Sequence, residues 1–172
     1  MRVEDFNKPI EELMTESGFK VRLALAKALD RDLFIQQAMF GNGVAAHGSI
    51  NAAMGFYFDE NLAQTSLQAF DPEGAQQLMA DAGYPGGEGF PTLKLQTTPN
   101  TRRAGLVVAN IYKQVLGITV EVDPQEFSVG IEQFNKMDFD LRLGGSGGDY
   151  DPDDGLVDWM QTYSMYNGPA RD

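Results

Sequence analysis

The pattern that most limits the fold lies between residues 92 and 124. An alternating segment, TLKLQTT, is followed by an apolar-periodic segment from about Thr101 to Leu116, and then by a second alternating segment, ITVEVDP, introduced by Gly117. Leu93 and Leu95 alternate with Lys94 and Gln96, and Val120 and Val122 alternate with Glu121. That period of two belongs to strands with one buried face, while the segment between them has the length and period of a helix. Strand, helix, strand in this order is a βαβ unit, expected to cross over right-handed. A further helix over SVGIEQFNKM and a third strand, FDLRLGG, repeat the pattern. The second half is therefore expected to be an α/β sheet of at least three strands with helices on its faces. In open sheets of this kind ligands sit at the carboxyl ends of the strands.

Upstream, FKVRLALAKALD predicts a first helix with Val21, Ala24, Leu25, Ala28 and Leu29 on its apolar face. Asp30 is placed to cap a second, RDLFIQQAMF, with Leu33, Phe34 and Ala38 inward and Gly41 as its stop. Residues 41–70 carry little periodicity and much Gly, Ala and Asn, so they read as an extended loop with one short helical turn after Asp59. A loop of that length is usually functional or packed on another domain. In FDPEGAQQLMADAGYPGG the punctuation is explicit: Asp71 as N-cap, Pro72 in the first turn with Glu73, then Gly83 and Tyr84-Pro85 as the stop. Ala75, Leu78, Met79 and Ala82 form the apolar face.

The third strand ends in LRLGGSGGDYDPDDGLVDW, the stretch richest in candidate chemistry. As a phosphate loop it has the glycines but lacks a following Lys or Arg, and its aspartates crowd the place an anion would take. From Gly145 and Gly147 the dinucleotide spacing puts Tyr150 where a third Gly belongs. As a calcium loop it has Asp149, Asp151 and Asp153 at the first, third and fifth positions, but Asp154 and Met160 replace the Gly and Glu of that template, and Pro152 stiffens the turn. Paired carboxylates for a hydrolase stay open, since abundant Asp does not say which two converge. His47, the single histidine, lies in a Gly/Ala loop, and no serine has an evident base, so a hydrolytic triad has little support. The bland alternative is a glycine turn in which Asp153 or Asp154 caps the helix GLVDWMQTY and Trp159 packs in a core.

Charge narrows the partners. A formal charge of −12, with 13 scattered basic residues, disfavours nucleic acid and anionic membrane surfaces. Without Cys there are no disulfides, thiol chemistry or Cys-type zinc sites, and no cofactor is expected. A length of 172 residues suits one domain. The amino terminus has no signal-type apolar region, and no segment approaches the roughly 18 apolar residues of a membrane helix. The ending YNGPARD brings no closing element, so a fragment is expected.

Several of these segments, in order, resemble the peptide/nickel-type extracellular solute-binding proteins, family 5, of ABC transporters. VRLALAKALDRD is similar to that family's helix VR-x-A-x-x-x-A-I-D-R, and FDPEGAQQLMADAGYPGG to its Y-D-P-E-x-A-K-x-L-L-x-E-A-G-Y-P-x-G. LGITVEV matches L-G-I-x-V-x-V, and GGDYDPDD is similar to the family's D-Y-x-D-P region, one residue shorter here. The resemblance implies a lobe of periplasmic-binding-protein type II fold: a mixed sheet flanked by helices, an incomplete domain, with 1–17 an arm and 18–172 most of the carboxyl-terminal lobe. It implies a non-enzymatic, exported, periplasmic, monomeric receptor that closes on a peptide or other small solute and delivers it to permease subunits. The missing first lobe would supply the other wall. Carried over by motif, Asp149 would pair with a ligand ammonium beside Tyr150, with Gly145, Ser146 and Asp151 lining the cleft. An acidic metal-dependent or carboxylate-using hydrolase is the alternative.

Overall fold

The computed structural model describes residues 14–145 except 47, 49–51 and 137. Helix α1 (Ser17–Ala28) is followed after two residues by α2 (Arg31–Met39). The Asp30 carboxylate accepts from the Leu33 N–H, as an N-cap should. The stop differs by one residue from expectation: Phe40 itself takes the left-handed conformation, φ 56°, before Gly41 at φ 79°. Between 41 and 70 the chain forms a 3₁₀ segment (Ala52–Tyr57) and the one-turn helix α3 (Leu62–Thr65), the turn expected after Asp59.

Helix α4 (Pro72–Asp81) starts where its sequence says. Asp71 caps it by accepting from Gly74 N–H at 2.8 Å, and the same carboxylate meets Lys27 Nζ at 3.0 Å. One aspartate thus fixes the end of α1 to the start of α4. Strand β1 (Leu93–Thr97), helix α5 (Arg102–Leu116) and strand β2 (Val120–Pro124) are the βαβ unit; α6 (Phe127–Asn135) and the short β3 (Leu141–Arg142) complete it. The described strands are parallel in the order β2-β1-β3, with Gln96 opposite both Asp123 and Arg142.

Helix α5 lies between the sheet and the α1/α4 pair, with Val108, Ile111, Tyr112 and Leu116 buried. Leu95 meets it from the sheet, and Phe19, Leu23, Leu25, Leu78 and Met79 from the outer helices. Each such side chain contributes about 1.5–3 kcal/mol when fully buried. Leu23 and Phe19 lie outside the expected face of α1, because α1 packs on both α4 and α5 and needs a wider apolar arc. Conversely α2 buries only Ile35; Leu33 is exposed, and Phe34 and Ala38 are half-buried, since α2 touches chiefly α5.

Two glycine loops clasp each other beneath this core. Gly117, φ 74°, ends α5, and a Cβ there would strike the Gly86 carbonyl oxygen. A Cβ on Gly87, φ 81°, would fall 2.7 Å from the Leu116 carbonyl oxygen. The AGYPGG and LGI segments are therefore two halves of one backbone contact. Tyr84 and Phe90 close its flank edge to face at 4.9 Å.

Candidate functional site

The carboxyl ends of the three strands form one rim. Main-chain pairing continues past the strands: Gln125 N–H donates to Thr97 O at 2.8 Å, and Leu143 N–H to Gln96 O at 2.9 Å. Gln125 and Leu143 therefore flank the end of central β1. Beyond β1, Thr98 and Thr101 form a reciprocal capping box that starts the approach to α5. The amino end of this 15-residue helix follows directly on the carboxyl end of β1, so its partial positive charge lies at the rim, beside Arg102 and Arg103. Arg103 is held over the Phe40 ring at 4.0 Å and donates to Gln37 O at 2.9 Å.

Of the residues singled out in the sequence, Gly145 lies at this rim, exposed, with nothing within 4 Å of the place a Cβ would occupy. Ser146, Asp149, Tyr150 and Asp151 lie outside the described residues, as do His47, Pro152, Asp153, Asp154 and Trp159. Sequence reasoning missed the polar face of the sheet. Lys94, Gln96, Asp123 and Arg142 project to one side, since facing residues of a parallel ladder share a face and alternate along it. Helix α6 covers part of that side.

Burial reaches polar groups here. Gln96 is 4% exposed, its Nε2 donates to Gln133 Oε1 at 2.5 Å, and its Oε1 has no partner among the described residues. An unsatisfied acceptor of this kind destabilises by about 1–3 kcal/mol unless something donates to it. Arg142 stacks on Phe134 at 4.3 Å, and burial lowers its pKa without removing its charge at neutral pH. A cleft of about 400 Å³ opens along this face, lined by Lys94, Gln96, Asp123, Gln133, Asp138, Phe139 and Asp140. The clue lay in the alternation of Lys94 and Gln96 with Leu93 and Leu95; the burial of Gln96 under α6 was not readable locally, while Lys94 stays exposed.

The described part of the chain, a parallel sheet with helices on both faces, has the fold of one lobe of a periplasmic-binding-protein type II protein, the fold of the solved structures it is similar to. Residues 18–167 match the family described as bacterial extracellular solute-binding proteins, family 5 Middle, and the chain belongs to that family, one of solute-binding proteins rather than enzymes. It is 31% identical over 166 residues to the periplasmic murein peptide-binding protein MppA of Escherichia coli, covering 89% of this chain and 30% of that protein. It is 25% identical over 162 residues to the oligopeptide-binding protein OppA of Bacillus subtilis, covering 88% of this chain and 28% of that one. Among solved structures, the periplasmic oligopeptide-binding protein OppAIV of Borrelia burgdorferi superposes with a TM-score of 0.73 at 28% identity, over 94% of this chain and 30% of that one. The chain thus spans about 30% of the length of such relatives.

Proposed function

We propose that residues 18–172 form most of the carboxyl-terminal lobe of the substrate-binding component of an ABC importer, whose strand-end rim is one wall of a cleft that takes a peptide. The observation that carries this reading is the rim itself: three parallel strand ends, open at Gly144 and Gly145, with the α5 amino end beside them. Relatives named for binding murein peptide and oligopeptides support the solute class. Asp149 pairs with the ligand ammonium, an enclosed cation that needs a partner, while Tyr150, Ser146, Asp151 and Gly145 line the wall. A second lobe supplies the facing wall, closure shifts an open–closed equilibrium, and the closed form docks on permease subunits outside the cytoplasmic membrane.

Calorimetry on the two-lobed protein with short peptides tests this. Asp149→Asn is expected to weaken binding at least tenfold, about 1.4 kcal/mol or more, and to abolish the preference for a free over an acetylated amino terminus. Unchanged affinity and preference in that variant would remove Asp149 from the site. Tight binding of peptide to the 172-residue chain alone would show that no second wall is needed.

A further inference from the structure

We infer that Asn42-Gly43 is a site of spontaneous covalent modification, at which the asparagine amide is hydrolysed through a cyclic imide to aspartate and isoaspartate. The inference goes beyond the strand-end reading and does not rest on it. The reaction needs three conditions at one peptide bond: an asparagine side chain open to water, a following residue with no side chain to obstruct ring closure, and a following backbone N–H that no acceptor holds. Asn42, Asn61, Asn100, Asn110 and Asn135 are all exposed, so exposure does not separate them. The other two conditions do. Leu62 N–H donates to Asp59 O, Thr101 N–H to Thr98 O and Lys136 N–H to Glu132 O, while Ile111 lies within the hydrogen-bonded ladder of α5. Among the described residues, Asn42 alone is an asparagine followed by glycine, and no acceptor takes the Gly43 N–H.

The end of α2 sets up this exposure. Phe40 and Gly41 both take the left-handed backbone, which turns the chain off the helix and carries Asn42 into solvent. The Gly43 nitrogen, having given its proton to solvent base, bonds to Asn42 Cγ; the Cγ–Nδ2 bond breaks, and Nδ2 leaves as ammonia with a proton from solvent. Water then opens the imide. Cleavage at Cγ gives aspartate, and cleavage at the main-chain carbonyl gives isoaspartate, with one more methylene in the backbone. The net change is one water consumed and one ammonia released. Asn42 Nδ2 donates to Met39 O at 3.2 Å, so either product replaces that donor by a carboxylate at the negative end of α2, where a like charge is unfavourable. The new charge falls next to the turn that holds Phe40 under Arg103, where α2 is tied to α5.

The test is peptide mapping by mass spectrometry of the folded protein after incubation in mildly alkaline buffer at physiological temperature. A gain of one mass unit at Asn42 is expected to accumulate at least tenfold faster than at Asn110, in a peptide that an isoaspartyl carboxyl methyltransferase then labels. Conversion is expected to slow severalfold in mildly acidic buffer, because the attacking group is the deprotonated amide. Gly43→Ala is expected to slow it severalfold, and Asn42→Gln, whose longer side chain closes a less favourable ring, to abolish it, with circular dichroism showing that each variant keeps its fold. The free peptide AMFGNGVAA sets the rate without the fold. A folded protein whose Asn42 stays intact while that peptide converts, conversion no faster at Asn42 than at Asn110, or a Gly43→Ala variant as fast as the parent would overturn the proposal.

Discussion

Gly117→Ala is the sharpest probe of what holds this fold together. Two separate penalties apply. The left-handed backbone at φ 74° disfavours any L side chain by roughly 1–2 kcal/mol. The new methyl also drives into the Gly86 carbonyl oxygen, a backbone atom that cannot rotate away, and overpacking of that kind costs about 1–3 kcal/mol. The sum, about 2–5 kcal/mol, is a large part of the ~5–15 kcal/mol available to a typical domain. Gly89→Ala isolates the first penalty: its φ is 72° and nothing lies within 4 Å of its would-be Cβ. Urea unfolding followed by far-ultraviolet circular dichroism measures both. Gly117→Ala is expected to exceed Gly89→Ala by about 1–3 kcal/mol, with a melting temperature lower by several degrees, at roughly 2–4 °C per kcal/mol for a chain of this size. Equal losses in the two variants would mean that the AGYPGG and LGI loops do not press on one another, and the clasp would be refuted.

Two further outcomes follow from ionisable groups. The Gly74 N–H first, and Lys27 second, hold the Asp71 carboxyl below its ordinary value of 3.8, so its stabilisation is present above that value and is lost as pH falls through the lowered native one. Urea midpoints at pH 3 and pH 7 should therefore differ more in the parent than in Asp71→Asn, which caps the helix without titrating. Burial, partly opposed by the Arg31 charge, pushes the Tyr112 hydroxyl from 10.0 up to about 12. An ultraviolet tyrosinate titration should find a component near pH 12 that is absent in Tyr112→Phe, with about 2–3 kcal/mol of stability lost between pH 10 and 12 as the unfolded state ionises first.

The elements with local punctuation were legible. Asp71-Pro72 and Gly83 bound α4 because capping is chemistry within a few residues, and the β1-α5-β2 unit followed from a change of period. What was not legible needed a second segment. The burial of Leu23 depends on two helices meeting α1, and Phe40 takes a left-handed backbone as well as the glycine that follows it. A guanidinium stacked on the Phe40 ring, from a helix more than sixty residues away, is a contact that only the assembled fold provides.

The motifs that identified the family also divide by physical role. LGI and AGYPGG are specific because two backbones must touch, so they report the scaffold and say nothing of a solute. Groups that the scaffold leaves unspent lie elsewhere, at the exposed strand end of Gly144 and Gly145 and at the buried acceptor of Gln96, which has no partner among the described residues. Gln96 illustrates why such groups escape a sequence reading. Beside Lys94 it alternates with Leu93 and Leu95 like any solvent-facing strand residue, and only α6, arriving from beyond β2, turns that face into an interior. A polar side chain in a half-exposed pattern thus becomes informative once its covering element is known. Replacing Gln96 by Leu would remove the buried acceptor together with the amide N–H that bonds Gln133, and would leave Gln133 Oε1 without that donor.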